Sequence, residues 1–220
     1  MSDVKDKFKD LIEAQNFSSF DGPFVVRNFL KNIEDYLSWN TLNEAINTDV
    51  VEWELIDKNT REKLIIPWNI PNYIGSRQQD KQFILERVNT GNTFIILKCC
   101  ILNASLKSLV FDIQDTFSVT SDVHIYGSKG NNSNSFEPHY DHPHNFIIQS
   151  IGDTDWIVFK NRVNTLLSVD KNDVPSKKLT PELEVRLTPG DLLYIPPRAY
   201  HVALPSMPRL SMSIPCFPQM

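Results

Sequence analysis

A chain of 220 residues, 41% hydrophobic and 22% charged, has the size and balance of a single globular domain with a large core. Its formal net charge of −5, with Lys and Arg scattered, lacks the basic footprint of a nucleic-acid binder. No apolar run approaches the ~20 residues of a membrane-spanning helix, because Lys98 interrupts "TFIIL" and "CCIL".

The opening "MSDVKDKFKDLIEAQ" is charged and lacks the apolar centre of a signal peptide. Val4, Phe8, Leu11 and Ile12 recur at helical intervals and predict a short amphipathic helix over 3–15. "GPFVVRNFL" (Gly22 to Leu30) reads as a strand entering a turn, and Ser38 and Asn40 are candidate caps for "TLNEAI". Trp53 to Ile66 predicts a strand pair, followed by the Pro-rich loop "PWNIPNYIG". "GNTFIILKCCI" predicts an apolar strand on which neighbouring Cys99 and Cys100 would face opposite ways. With Cys216 they make three cysteines, too few for a disulfide framework; buried thiols and a reducing, cytoplasmic compartment are the expectation. "ASLKSLVFDIQDTF" places Leu106, Leu109, Val110, Ile113 and Phe117 at helical spacing.

Beyond residue 118 the texture changes. "DVHIYGS", "HNFIIQSI", "DWIVFK", "LEVRLTPGDLLYIP" and "RLSMSIP" are short β-rich runs separated by Gly, Pro, Asn and Asp. The fold class expected is therefore mainly β: one domain over 1–220, with a helical and strand N-terminal part (1–118) flanking an antiparallel barrel or sandwich (119–220).

"FEPHYDHPHNFIIQ" gathers His139, His142 and His144, three of the chain's five histidines, around Asp141. On an extended segment His139 and Asp141 point to one face, because strand side chains alternate with period two. A third ligand has to come from elsewhere in the fold, and His201 is the candidate: Gly190 and Asp191 turn the chain into an apolar strand that Pro196 and Pro197 end just before it. Two imidazoles and one carboxylate on one face of an ion form the ligand set of non-haem Fe(II) oxygenases, with adjacent positions left open. His142 and His144 make a competing His-x-His pair of opposite parity. One regular strand cannot aim both pairs at one metal, and the glutamate that the competing motif wants is replaced by Ile147 and Ile148. The metal is therefore assigned to His139, Asp141 and His201, and the other two histidines to the rim.

"HYDHPHNFIIQSIGDTDWIVF" (His139 to Phe159) followed by "LTPGDLLYIPPRAYHVAL" (Leu187 to Leu204) resembles the JmjC/cupin-type 2-oxoglutarate oxygenases. Within these it is most similar to the hydroxylase branch that includes the ribosomal oxygenases and the asparaginyl hydroxylase of hypoxia-inducible factor. The motif is matched at His139, Asp141, Asn145, Phe146, Gln149, Gly152, Trp156, Pro189, Gly190, Asp191, Pro196 and His201, across roughly residues 120–215. The resemblance implies a double-stranded β-helix (jelly roll), Fe(II) as cofactor, and 2-oxoglutarate and O2 as cosubstrates.

It also implies where the cosubstrate sits, and here the chain departs from the pattern. The family's usual Lys or Arg, thirteen residues past the Asp ligand, is Thr154, which can hydrogen-bond a carboxylate but cannot neutralise it. Arg209 and Ser211 resemble an Arg-x-Ser pair found after the distal His in other 2-oxoglutarate oxygenase branches; a solvent-facing arginine before an edge strand is the competing reading. Lys160 shares parity with Thr154 and Trp156 and could reach inward. In "HIY", His124 stands where relatives have Asn, and Tyr126 is kept; a pocket hydrogen-bonder or a satisfied barrel histidine both suit His124. Asn145 matches a residue near the cosubstrate's metal-binding end, and Trp156 is expected in the barrel core.

The function implied is hydroxylation of a C–H bond in a peptide or small molecule, with release of succinate and CO2. No side chains beyond the metal ligands are expected to be catalytic. The alternatives are a metal-dependent cupin that does not use 2-oxoglutarate, kept alive by Thr154, and a catalytically silent cupin binding module. A homodimer is open, since related hydroxylases are often dimers.

Overall fold

A computed structural model describes residues 2–15, 22–69, 78–131, 135–163 and 178–218. Helical periodicity in the N-terminal half becomes α1 (Ser2–Gln15), α2 (Trp39–Ala45), α3 (Lys81–Asn89) and α4 (Ala104–Phe117). In α4 the buried residues are Leu106, Leu109, Val110, Ile113 and Phe117, the stripe expected from spacing, and each contributes about 1.5–3 kcal/mol of burial. Its N-cap Asn103 accepts the Leu106 N–H at 2.8 Å, and Ser118 ends it in the left-handed region at φ 51°. α1 lies against α4, with Phe8 touching Phe117, Phe146 and Phe29. Ser38, not Asn40, caps α2, since the helix begins at Trp39. α3 was not foreseen, although Asp80 caps it by accepting the Phe83 N–H at 2.9 Å and Ile84 and Val88 sit one turn apart.

The strands are β1 (Phe24–Val26), β2 (Glu52–Ile56), β3 (Lys63–Leu64), β4 (Trp68–Asn69), β5 (Gln78–Gln79), β6 (Thr93–Leu97) and β7 (Val119–Ser121) in the first half. β8 (His124–Ser128), β9 (His139–Tyr140), β10 (His144–Ile151), β11 (Thr154–Arg162), β12 (Pro181–Leu187), β13 (Leu192–Ile195), β14 (Ala199–Pro205) and β15 (Arg209–Pro218) follow. Cys99 and Cys100 do not extend β6. Lys98 adopts φ 65° and throws both cysteines into a 3-10 turn, with Cys99 buried and Cys100 half-buried. Most of the Pro-rich loop, 70–77, lies outside the described residues.

Two antiparallel sheets result. One runs β1-β13-β10-β15-β8-β6-β2-β3, with β7 against β15, and the other runs β12-β11-β14-β9. From β8 onward the chain crosses between them at every step except from β11 to β12, which pair within the smaller sheet, and this is the jelly-roll winding; the N-terminal half lengthens the larger sheet at both edges. β1 is fastened to β13 through Asp191. Its carboxylate accepts Arg27 Nη1 at 2.5 Å and, at 3.0 Å each, the N–H of Asn28, the N–H of Thr188 and the Thr188 hydroxyl. The larger core lies on the outer face of the large sheet, around α1 and α4. A smaller cluster with Trp156, Leu187 and Leu193 fills the space between the sheets. Among the described residues no helix is long and apolar enough to cross a membrane.

Candidate metal centre

Strand parity builds a cleft between the two sheets. On β15, Arg209, Ser211 and Ser213 face it while Leu210 and Ile214 join the outer core; on β10, Asn145 and Ile147 face it while Phe146 and Ile148 turn away. On the opposite sheet, His201 and Ala203 of β14 face the cleft, and Tyr200 and Val202 pack on the far side with Tyr140. The same rule puts His139 and Asp141 on the cleft side of Tyr140. Register then finishes the placement: His139 pairs directly with His201 across β9 and β14.

The ligand atoms of His139, Asp141 and His201 lie within 4.8 Å of one another. His201 Nε2 stands 3.6 Å from Asp141 Oδ2, and the two imidazole centroids are 4.5 Å apart. Each ring is held from behind, His139 Nδ1 by the Glu137 carbonyl and His201 Nδ1 by the Ala199 carbonyl, both at 2.9 Å. Donation from Nδ1–H fixes the tautomer that leaves Nε2 with a lone pair for a metal. Burial, then the neighbouring His139, push His201 down to about 4, so that the ring is neutral at pH 7. Arg61 pairs with Glu137 and pins the segment before His139 to the β2–β3 hairpin. Two imidazoles that present Nε2 and one carboxylate fit a divalent ion of the ferrous kind, which takes nitrogen and oxygen ligands of this set.

His142 and His144 take no part in this cluster. His142 is exposed beside the Tyr140 ring, and His144 Nδ1 meets the Tyr194 hydroxyl at 2.6 Å.

The other sequence candidates separate. Tyr126, Asn145, Arg209 and Ser211 line the cleft. Asn145 Oδ1 accepts the Ser213 hydroxyl at 2.9 Å, and burial followed by the charge of Asp141 pushes the Tyr126 phenol up, so it stays protonated. Arg209 is 1% exposed, which removes the reading of a solvent-facing arginine. Burial lowers it to about 10, still charged at pH 7. Thr154 is buried but does not line the cleft, nor does His124, half-buried on β8. Lys160 is exposed. The register slips between Val158 and Phe159, two successive buried residues, so the parity that aims Thr154, Trp156 and Val158 inward is lost before Lys160. Ser213 was not foreseen as a cleft residue, although the period-two continuation of Arg209 and Ser211 signalled it. Ser135 and Phe136 belong to the polar stretch Gly127 to Glu137, whose composition suits a loop lining the mouth of a site on a rigid scaffold.

Fold and donor set thus define a jelly-roll protein with a two-His, one-carboxylate face between its sheets. The JmjC domain model matches residues 103–219, more than half of the chain, and the chain belongs to that family. A segment of 94 residues is 34% identical to a bifunctional lysine-specific demethylase and histidyl-hydroxylase NO66 of Aedes aegypti, covering 41% of this chain and 15% of that protein. The Culex quinquefasciatus counterpart is 37% identical over 75 residues, 33% of this chain and 12% of that one. Among solved structures, Escherichia coli YcfD superposes with a TM-score of 0.65 at 17% identity, covering 94% of this chain and 53% of YcfD. YcfD described as a ribosomal oxygenase in complex with cobalt and 2-oxoglutarate superposes at 0.61 and 18% identity, covering 93% and 51%. At such identity the likeness is one of fold. The chain spans about half of YcfD, and the matched segments cover a small part of the mosquito proteins.

Proposed function

We propose that this protein is an Fe(II)- and 2-oxoglutarate-dependent oxygenase that hydroxylates a C–H bond of a peptide or small molecule. The observation that carries this reading is the convergence of His139, Asp141 and His201 on one cleft. His139 and His201 would hold the ion through Nε2 and Asp141 through a carboxylate oxygen. Ferrous iron, when bound there, supplies the activation of O2 that couples loss of CO2 from 2-oxoglutarate to delivery of one oxygen atom into succinate and the other into the substrate C–H bond. The rest falls to the chain. The Glu137 and Ala199 carbonyls keep both imidazoles in one tautomer and one orientation. Ser213 fixes the Asn145 amide, and Tyr126, protonated, offers an O–H donor along the cleft wall. Ile147, Trp156 and Ala203 keep the reacting face apolar and limit water.

Descriptions of the relatives as histidyl-hydroxylase and ribosomal oxygenase favour a protein side chain as substrate, as does the absence of net positive charge. The free thiols of Cys99, Cys100 and Cys216 suit a reducing, cytoplasmic setting. A metal-dependent cupin that does not use 2-oxoglutarate is the second reading, and Thr154 in place of the family's basic residue is what favours it. Anaerobic titration with Fe(II) and 2-oxoglutarate decides between them. The expected result is a charge-transfer absorbance, then succinate formation in air; neither signal appearing would remove the 2-oxoglutarate reading.

A further inference from the structure

We infer that Arg61, in the turn of the β2–β3 hairpin, is a positioning residue for the metal centre: acting through Glu137, it sets the ring of His139. This rests on the metal-centre reading above and deepens it, naming what holds the less supported of the two imidazoles. His201 lies inside β14, which pairs with β11 on one side and β9 on the other. His139 belongs to a strand of two residues, β9, at the free edge of its sheet. Short edge pairings open locally far more readily than inner strands. Two contacts from the preceding segment steady the His139 ring. Phe136 stands edge-on to it with centroids 5.3 Å apart, and the Glu137 carbonyl accepts from Nδ1 at 2.9 Å. The Glu137 carboxylate has one side-chain partner among the described residues, Arg61 Nη1.

The hairpin holds that arginine still. Its turn is closed by Asp57 N–H donating to the Glu62 carbonyl and Arg61 N–H donating to the Asp57 carbonyl, both at 2.9 Å, while Asp57 Oδ1 accepts the N–H of Asn59 and of Thr60. Lys58 N–H, donating to Asn92 Oδ1 at 2.9 Å, ties the turn to the residue before β6. Within this turn Arg61 has φ 62°, in the left-handed region that glycine adopts freely and other residues at a cost. Global stability does not explain an arginine there: the paired side chains are 40% and 59% exposed, and exposed pairs contribute little. A side chain kept on a strained backbone for a weak pair points to local work. The topology shows which. β3 ends the larger sheet and β9 ends the smaller one, so the pair ties together two open edges, one of which carries His139.

The test is the Zn(II) affinity of the full chain, measured by competition with a chromophoric chelator, beside the melting temperature of the metal-free protein. Arg61→Gly should bind Zn(II) about 3–10-fold more weakly, short of the 10–100-fold typical of groups that bond a ligand directly. Its metal-free melting temperature should not fall below that of wild type, because glycine relieves the left-handed backbone. Charge alone predicts the opposite sign, since removing a cation near the site would strengthen metal binding. The reversed pair, Arg61→Glu with Glu137→Arg, should return to within about twofold of wild-type affinity. Unchanged affinity in Arg61→Gly, affinity that falls only together with the melting temperature, or no recovery in the reversed pair overturns the role assigned to Arg61. Wild-type protein that takes up no Zn(II) overturns the metal-centre reading itself, and this role with it.

Discussion

At the scale of single residues, the centre depends on which nitrogen each imidazole presents. Because backbone carbonyls hold both Nδ1 atoms, the Nε2 lone pairs are set before any metal arrives, and little reorganisation is needed on binding. Substituting His139→Ala or His201→Ala should leave the fold intact and reduce metal retention and 2-oxoglutarate turnover by more than about a hundredfold, beyond the 10–100-fold typical of groups that merely orient a ligand. Metal content after gel filtration and succinate release check this. His142→Ala is the matched control: the side chain is exposed, so both quantities should stay within about twofold of wild type.

At the scale of elements, two turns hold the strands that carry the site. Asp191 fastens β1 to the turn entering β13. Burial alone would raise its carboxyl, but hydrogen bonds from Thr188, Asn28 and Arg27 outweigh that and hold it below the usual value. A carboxyl depressed in the folded state contributes stability that is complete above its unfolded value of about 3.9 and is lost as pH falls through the folded value. Asp191→Ala should therefore cost about 2–3 kcal/mol at pH 7. In urea unfolding, the gap from wild type should narrow below about pH 4 as the wild-type carboxylate protonates. Gly152 between β10 and β11 is the second turn. It adopts φ +67°, and a Cβ there would lie 2.2 Å from the Pro208 carbonyl oxygen, immediately before Arg209. Backbone cannot swing aside as a side chain can. Gly152→Ala should thus lower stability by about 1–3 kcal/mol, read from the unfolding midpoint.

For the whole molecule, a metal that binds only the folded state stabilises it by mass action. At a hundred times its dissociation constant the gain is about 2.7 kcal/mol, which for a chain of this size raises the melting temperature by about 5–10 °C. Fluorimetric melts with Fe(II) under argon, and again after chelator, should show that rise and its reversal in wild type but not in His201→Ala. Coupling of this kind is expected because the ligands come from separate strands of one sheet. That sheet faces β10, whose Phe146 rests on Phe8 of α1 and Phe117 of α4.

Local patterns were legible in the sequence wherever one periodicity ran uninterrupted. The α4 stripe, the shared parity of His139 and Asp141 and the Pro-bracketed approach to His201 all survive translation into structure, because period and turn chemistry act within a few residues. The run of short β-rich segments likewise announced an antiparallel barrel or sandwich, and the motif's resemblance to a known family implied a jelly roll. Tertiary structure decided what depends on strand register. It pairs His139 with His201, breaks the inward run of β11 before Lys160, leaves Thr154 off the cleft and buries Arg209 without a counter-ion. A register slip is a contest between neighbouring strands, and the side chains that settle it lie far apart in the chain; sequence periodicity carries no record of the outcome.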